Sequence, residues 1–252
     1  MEPPKKMKDA PGRPEVRDAS VIVATKDRPE LLMELLRSLS ACAPLPAEVV
    51  LADDGSAQPV AQVVERLSWP FPVRVVRSER AFGPSTARNR AVHASRGGVL
   101  LFTDDDCVVD RGWVGALHGA LVVEDEQLGG VGGRVIARDT DIYSRYFELH
   151  RVLEPRPHDV RHPARVPYLV TANCAVRRDV YMRAGGFDAR LSIAGGDDVA
   201  FSMRIVRCGY HLEHAAEAVV RHRFRPGLPD FARTFYRYGL GGRYVVDRYL
   251  PR

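Results

Sequence analysis

Residues 20–40 read SVIVATKDRPELLMELLRSLS, and the fold follows from this stretch. Residues 20–24 are a short apolar run with β-branched side chains, the composition of a buried strand. Beyond them Leu31, Leu32, Leu35, Leu36 and Leu39 recur at the spacing of one helical face. Pro29 suits the first turn of that helix, where a missing N–H leaves no bond unmade. The alternation then repeats, with strands expected at 48–52, 73–76 and 99–102 and helices at 60–67 and 85–95. Strands alternating with helices predict an α/β fold built on a doubly wound, mainly parallel sheet with helices on both faces. The second half alternates less regularly. Residues 131–137 and 169–176 read as strands, 197–207 as a helix, and a last helix from Pro229 carries Phe231, Phe235 and Tyr238 on one face.

Of 252 residues, 45% are hydrophobic and 27% charged, a balance that excludes a disordered or fibrous chain. Apolar runs such as 99–102 fall far short of the roughly 20 residues of a bilayer span, so an integral membrane protein is not expected. Residues 1–19 mix charge with proline and lack the apolar core of a secretory leader, and they read as a flexible tail ahead of one domain over 20–252. Cys42, Cys107, Cys174 and Cys208 lie far apart with no Cys-x-x-Cys pair, the usage of reduced, mostly buried thiols in a cytoplasmic protein. The net charge of +5 is concentrated at the end: eight arginines between Arg221 and Arg252 face only Asp230 and Asp247, leaving the rest near −1. Such a segment either meets an anionic membrane surface from the inner side, binds an acidic acceptor, or packs Phe231 and Phe235 on the domain with its arginines in water. No nucleic-acid-binding module is recognisable, so no nucleic-acid partner is expected.

In doubly wound sheets, ligands bind outside the carboxyl ends of the strands. The loops there are polar: Thr25-Lys26-Asp27-Arg28, Asp53-Asp54-Gly55-Ser56 and Asp104-Asp105-Asp106. In an extended segment Asp104 and Asp106 share a face while Asp105 points away. Two such carboxylates repel unless a cation lies between them, and hard divalent ions, Mg²⁺ or Mn²⁺, suit oxygen ligands. A diphosphate is the natural further ligand, and His222 is a candidate to complete the shell, with a plain surface histidine as the alternative. Asp53 can accept from a nucleobase or ribose, and Arg88 can pair with the carboxylates or a phosphate. Asp197 and Asp198 open a helix after Gly195-Gly196, where a carboxylate can cap the helix or act as a general base. Trp113 reads either as core or as a sugar-stacking side chain.

VIVATKDRPELL, VVLADDGS, GPSTARNRAVHASRGGVLLFTDDD, GGFD, GGDDVAFSMRIVRCGY and VVRHRFRP followed by FYRYGLGGR together resemble the family-2 inverting glycosyltransferases of the GT-A fold. The resemblance covers about residues 20–243. It implies a nucleotide-sugar-binding half at 20–107, an acceptor-binding half at 108–228 and a basic helix at 229–252. It also implies transfer of a sugar from a nucleotide-diphosphate donor, UDP by default, to an acceptor hydroxyl on a small molecule, glycan or lipid. Carried over, Thr25, Asp27, Asp53, Arg88 and Asp104 would serve the donor, with Asp53 reading the base. Asp104 and Asp106 match the outer members of the DXD motif, with His222 near the metal or diphosphate. Asp198 matches the catalytic base, and Asp197 and Trp113 fall on the acceptor side. Three departures stand out: Ala24 replaces a frequent proline, Asp197 a glutamate, and Ala200 a residue that is often acidic and would bear on the acceptor subsite. A non-catalytic nucleotide-sugar-binding module and a sugar-phosphate nucleotidyltransferase are the alternatives. The latter generally carries a glycine-rich loop after the first strand, where this chain has ATKDRPEL.

Overall fold

Successive residues of the first strand bury themselves on opposite sides of a sheet: Val21 and Val23 in one hydrophobic cluster, Ile22 in the other. Val49 and Leu51 against Val50 and Ala52, and Leu101 against Leu100 and Phe102, divide the same way. Strands apolar on both faces need cover on both, which helices supply. In the computed structural model, which describes residues 15–157 and 159–249, the chain runs β1 (Glu15–Thr25), α1 (Pro29–Ser40), β2 (Leu45–Asp54), α2 (Ala61–Val64), β3 (Val73–Ser78), α3 (Pro84–Ala94) and β4 (Val99–Thr103). It continues through β5 (Cys107–Val109), α4 (Trp113–Leu121), β6 (Leu128–Ala137), α5 (Ile142–Leu149), β7 (Asn173–Arg177), α6 (Arg178–Ala184), α7 (Asp197–Arg207), β8 (His211–His222) and α8 (Leu228–Tyr249).

One sheet of eight strands results, in the order β3-β2-β1-β4-β7-β6-β8-β5. The first four strands are parallel, Val21 lying beside Val49 on one side and Leu101 on the other. Beyond them β7 runs antiparallel between β4 and β6, β6 and β8 are parallel, and β5 is antiparallel to β8. The second half of the sheet is therefore more mixed than strict strand–helix alternation predicts. Of the tail expected at 1–19, residues 15–19 belong to β1, and 1–14 lie outside the described residues.

α1 and α4 cover one face with Leu32, Leu35, Leu36, Trp113 and Leu117, whereas α3, α6 and α7 cover the other with Ala87, Val180 and Phe201. α8 is the long amphipathic helix expected from Pro229. It packs Val245 and Tyr249 on Ala200 of α7, and Phe231 on Tyr143 and Tyr146 of α5. Cys42, Cys107 and Cys174 are buried free thiols, while Cys208 is exposed. Among the described residues no helix is long and apolar enough to cross a membrane.

Candidate active site

β1 lies between β2 and β4, so the chain crosses to one side of it after β1 and to the other before β4. That switch opens a crevice at the carboxyl ends of the strands. The crevice here is a cleft of about 1230 Å³. Thr25, Lys26, Arg28, Asp54 and Asp104–Asp106 line one side, Gly195–Val199 and the 222–225 segment another, and α8 the last through Phe231, Thr234, Arg237 and Tyr238.

The three consecutive aspartates do not alternate across a strand. β4 ends at Thr103, and a turn closed by Cys107 N–H to Asp104 O (3.2 Å) brings all three into the cleft wall. Asp105 is the most buried of them. It accepts from the Thr25 hydroxyl at 2.8 Å and from Arg28 Nη1 at 2.9 Å, and burial followed by the Asp106 charge pushes its carboxyl up to about 6. Arg28 also donates to Asp106 Oδ2 at 2.8 Å. Sequence reasoning assigned Arg28 no role. Its place in the loop after β1 was the available signal, but its partners lie 77 and 78 residues away.

β5 pairs with β8 so that Cys107 faces His222, which sets the preceding Asp106 against the His222 ring. Asp106 Oδ1 lies 3.2 Å from His222 Nε2, yet it is buried and accepts no hydrogen bond. An unsatisfied carboxylate oxygen facing an imidazole nitrogen suits a shared cation, with the carboxylate–imidazole donor set of Mn²⁺ or Mg²⁺. The Cys107 thiol lies within 4.8 Å of the same atoms. Burial holds it protonated, and it points to the Ala172 carbonyl.

Arg88 bridges the two halves of the cleft. Its Nη2 donates to Asp104 at 2.8 Å and its Nη1 to Asp197 at 2.6 Å. Burial alone would lower this guanidinium, but Asp104 and Asp197 outweigh it and hold it above its ordinary value. The other Asp197 oxygen accepts from Gly195 N–H at 3.1 Å. Asp197 is thus engaged in holding Arg88 and its own loop, not in contacting an acceptor as the sequence suggested. Its neighbour Asp198 lines the cleft at the first turn of α7, and Oδ1 accepts from Val199 N–H at 2.8 Å. Burial, and then the charge of Asp197, pushes the Asp198 carboxyl up to about 7.

Three expected site residues lie elsewhere. The Asp53 side chain is wholly buried and accepts from Ser56 N–H, Val60 N–H and Arg77, so it shapes the loop after β2 and cannot read a base; Asp54 beside it lines the cleft. Asp27, exposed and outside the cleft wall, accepts from Ala57 N–H at 2.7 Å and ties the first two loops together. Trp113 is 0% exposed, and its Nε1 donates to Asn173 Oδ1 at 2.8 Å, so it is core and does not stack on a sugar. Ala200 is equally buried, beneath α8, and forms no subsite.

Comparison with known proteins agrees with this architecture. The chain is 28% identical over 233 residues to the pre-mycofactocin glycosyltransferase of Mycobacterium tuberculosis, an alignment covering 91% of this chain and 47% of that protein. It is 28% identical over 224 residues to polypeptide N-acetylgalactosaminyltransferase 13 of Homo sapiens, covering 80% of this chain and 39% of the relative. The chain therefore spans less than half the length of these curated relatives. Its backbone is similar to that of GalNAc-T7 crystallised with UDP, GalNAc and Mn²⁺, with a TM-score of 0.67 at 22% identity over 92% of this chain and 48% of that one. It is also similar to the Pyrobaculum calidifontis mannosyltransferase PcManGT with GDP-Man and Mn²⁺, with a TM-score of 0.62 at 22% identity over 88% and 61%. Both likenesses establish the GT-A fold. The model of glycosyl transferase family 2 matches residues 20–185, from β1 to the end of α6, and the chain belongs to that family.

Proposed function

We propose that this chain is a metal-dependent, inverting glycosyltransferase domain that moves a sugar from a nucleoside-diphosphate donor, UDP by preference, to an acceptor hydroxyl. The observation that carries the reading is a carboxyl raised to about 7, on Asp198, opening onto the same cleft as the Asp106–His222 pair. A general base works best when its proton affinity lies near the operating pH. Asp198 takes the proton of the acceptor hydroxyl as its oxygen attacks the anomeric carbon. The bond from that carbon to the diphosphate breaks in line, which inverts the centre. Asp106 and His222, with Asp104 preceding Asp106 in the same loop, would hold Mg²⁺ or Mn²⁺, which would supply positive charge to the departing diphosphate. Arg28 and Arg88 fix the positions of these carboxylates. The reading is supported by the ligands of the related structures, UDP, GalNAc and Mn²⁺ in one and GDP-Man with Mn²⁺ in another.

Calorimetry with UDP, GDP and dTDP, with and without Mn²⁺, tests it. One nucleotide is expected to bind, and to require Mn²⁺. Asp106→Ala should lose that metal-dependent binding, while Asp198→Asn should keep it and hydrolyse the matching nucleotide sugar more slowly. A folded wild-type chain that binds none of the three overturns the assignment.

A further inference from the structure

Arg237 is a cation in the cleft without a carboxylate. Of the other arginines there, Arg28 and Arg88 are committed to aspartates at 2.9 Å or less, and Arg223 lies 3.7 Å from Asp139. Arg225 is exposed to water. Arg237 is half-buried on α8, and among the described residues no carboxylate oxygen lies within 4.0 Å of it. Its Nε is shielded from solvent with no hydrogen-bond partner, and its Nη2 reaches only the Thr234 hydroxyl, at 3.4 Å. A guanidinium Nε–H stripped of water and given no acceptor costs free energy that the fold does not recover. Such a group waits for an anion.

The backbone beneath it is set with little freedom. A Cβ on Gly241 would lie 1.9 Å from Gly195 O, and one on Gly196 would lie 2.7 Å from Gly241 C, so only glycines allow α8 this close to the loop ahead of Asp198. A Cβ on Gly195 would lie 3.1 Å from the Arg237 carbonyl oxygen. Arg237 sits one turn before Gly241 and is anchored against the loop that carries the base. The adjoining Tyr238 lines the same cleft as Asp104, Asp106 and Asp198, and its phenol is raised by burial and then by the Asp198 charge, with Arg237 opposing.

Building on the nucleotide-sugar reading above, we propose that Arg237 binds the donor's diphosphate from the α8 side of the cleft, opposite Asp106 and His222. A planar fork of N–H donors matches phosphate oxygens, and no other arginine of the cleft combines shielding from water with freedom from a carboxylate. α8 lies beyond residue 185, where the match to the family model ends.

Affinities of wild type, Arg237→Met and Arg237→Lys for UDP and GDP in Mn²⁺, set against uridine and guanosine, decide the point. The methionine variant is expected to bind the diphosphate about 10- to 100-fold more weakly, with nucleoside affinity unchanged and lysine in between. Equal diphosphate affinity in wild type and the methionine variant overturns the proposal, as does an equal loss for nucleoside and diphosphate. If the methionine variant does not fold, the lysine variant gives the same comparison, with a weaker loss expected and unchanged affinity again overturning. The nucleotide-sugar reading itself fails on the wild type alone, through binding of none of UDP, GDP and dTDP.

Discussion

Asp198 carries a carboxyl that burial, with the charge of Asp197 behind it, pushes up to about 7. A base must be unprotonated to accept, so kcat should rise tenfold per pH unit below about 7 and level off above it. Asp198→Asn should lose about 10²- to 10⁴-fold in kcat and flatten that limb of the profile. The same residue makes a prediction about stability. The folded state holds this proton between about 4 and 7, where the unfolded chain has released it, so stability falls as pH rises through that window. Asparagine removes the penalty: the variant should be more stable at pH 8 by about 1–3 kcal/mol and indistinguishable at pH 4, as thermal melts at the two pH values would show. A variant that is slower and no more stable at pH 8 would mean that the carboxyl is not desolvated. Arg88 predicts the opposite sign. Arg88→Met leaves Asp104 and Asp197 without their shared cation, a loss of about 3–5 kcal/mol by chemical denaturation.

The elements that present these residues were unequally legible. α1 and α7 could be placed from periodicity alone, because a helical face is written within a dozen residues; 197–207 is the span observed for α7. The geometry of Asp104–Asp106 could not, since strand alternation does not continue past Thr103, where the chain enters a turn. α8 shows the same limit: its amphipathic face was visible, but not what fastens it. Asp188, in the GGFD motif, is buried and accepts from the hydroxyls of Tyr244 and Tyr249, both at 2.9 Å, and from Arg190. Those hydrogen bonds, the Arg190 contact first, hold its carboxyl well below the usual range. The tyrosines lie 56 and 61 residues further along the chain, a distance no local pattern records. Asp188→Ala leaves both hydroxyls without their acceptor and should destabilise the chain by about 1–3 kcal/mol. Hydrogen exchange should localise the loss to 228–249, with the core strands unchanged; uniform acceleration would contradict a local pin.

Across the whole molecule, the parallel strands β3-β2-β1-β4 were predictable from alternation, whereas the antiparallel seam at β7 was not, because register between distant strands leaves no local trace. The cleft spans both regions. Arg88 reaches Asp197, 109 positions further along the chain, and His222 meets Asp106 only through the last strand pair. Its charged groups are nonetheless substantially paired within the protein: Arg28 neutralises Asp105 and Asp106, and Arg88 neutralises Asp104 and Asp197. The two large hydrophobic clusters lie on the faces of the sheet and contain none of these carboxylates. Folding should therefore not depend on a metal, and a chelator alone should leave the melting temperature of the nucleotide-free chain unchanged. Donor binding is different, because a ligand that binds only the folded state stabilises it by RT ln(1 + [L]/Kd), about 2.7 kcal/mol at a hundredfold excess over Kd. For a chain of this length that is a rise of roughly 5–10 °C. The rise should appear with nucleoside diphosphate and Mn²⁺ together, vanish on chelation, and be lost in Asp106→Ala with the unliganded melt little altered. An equal rise in the presence of chelator would remove the metal from the proposed mechanism and leave Arg237 and the loop after β1 to bind the diphosphate.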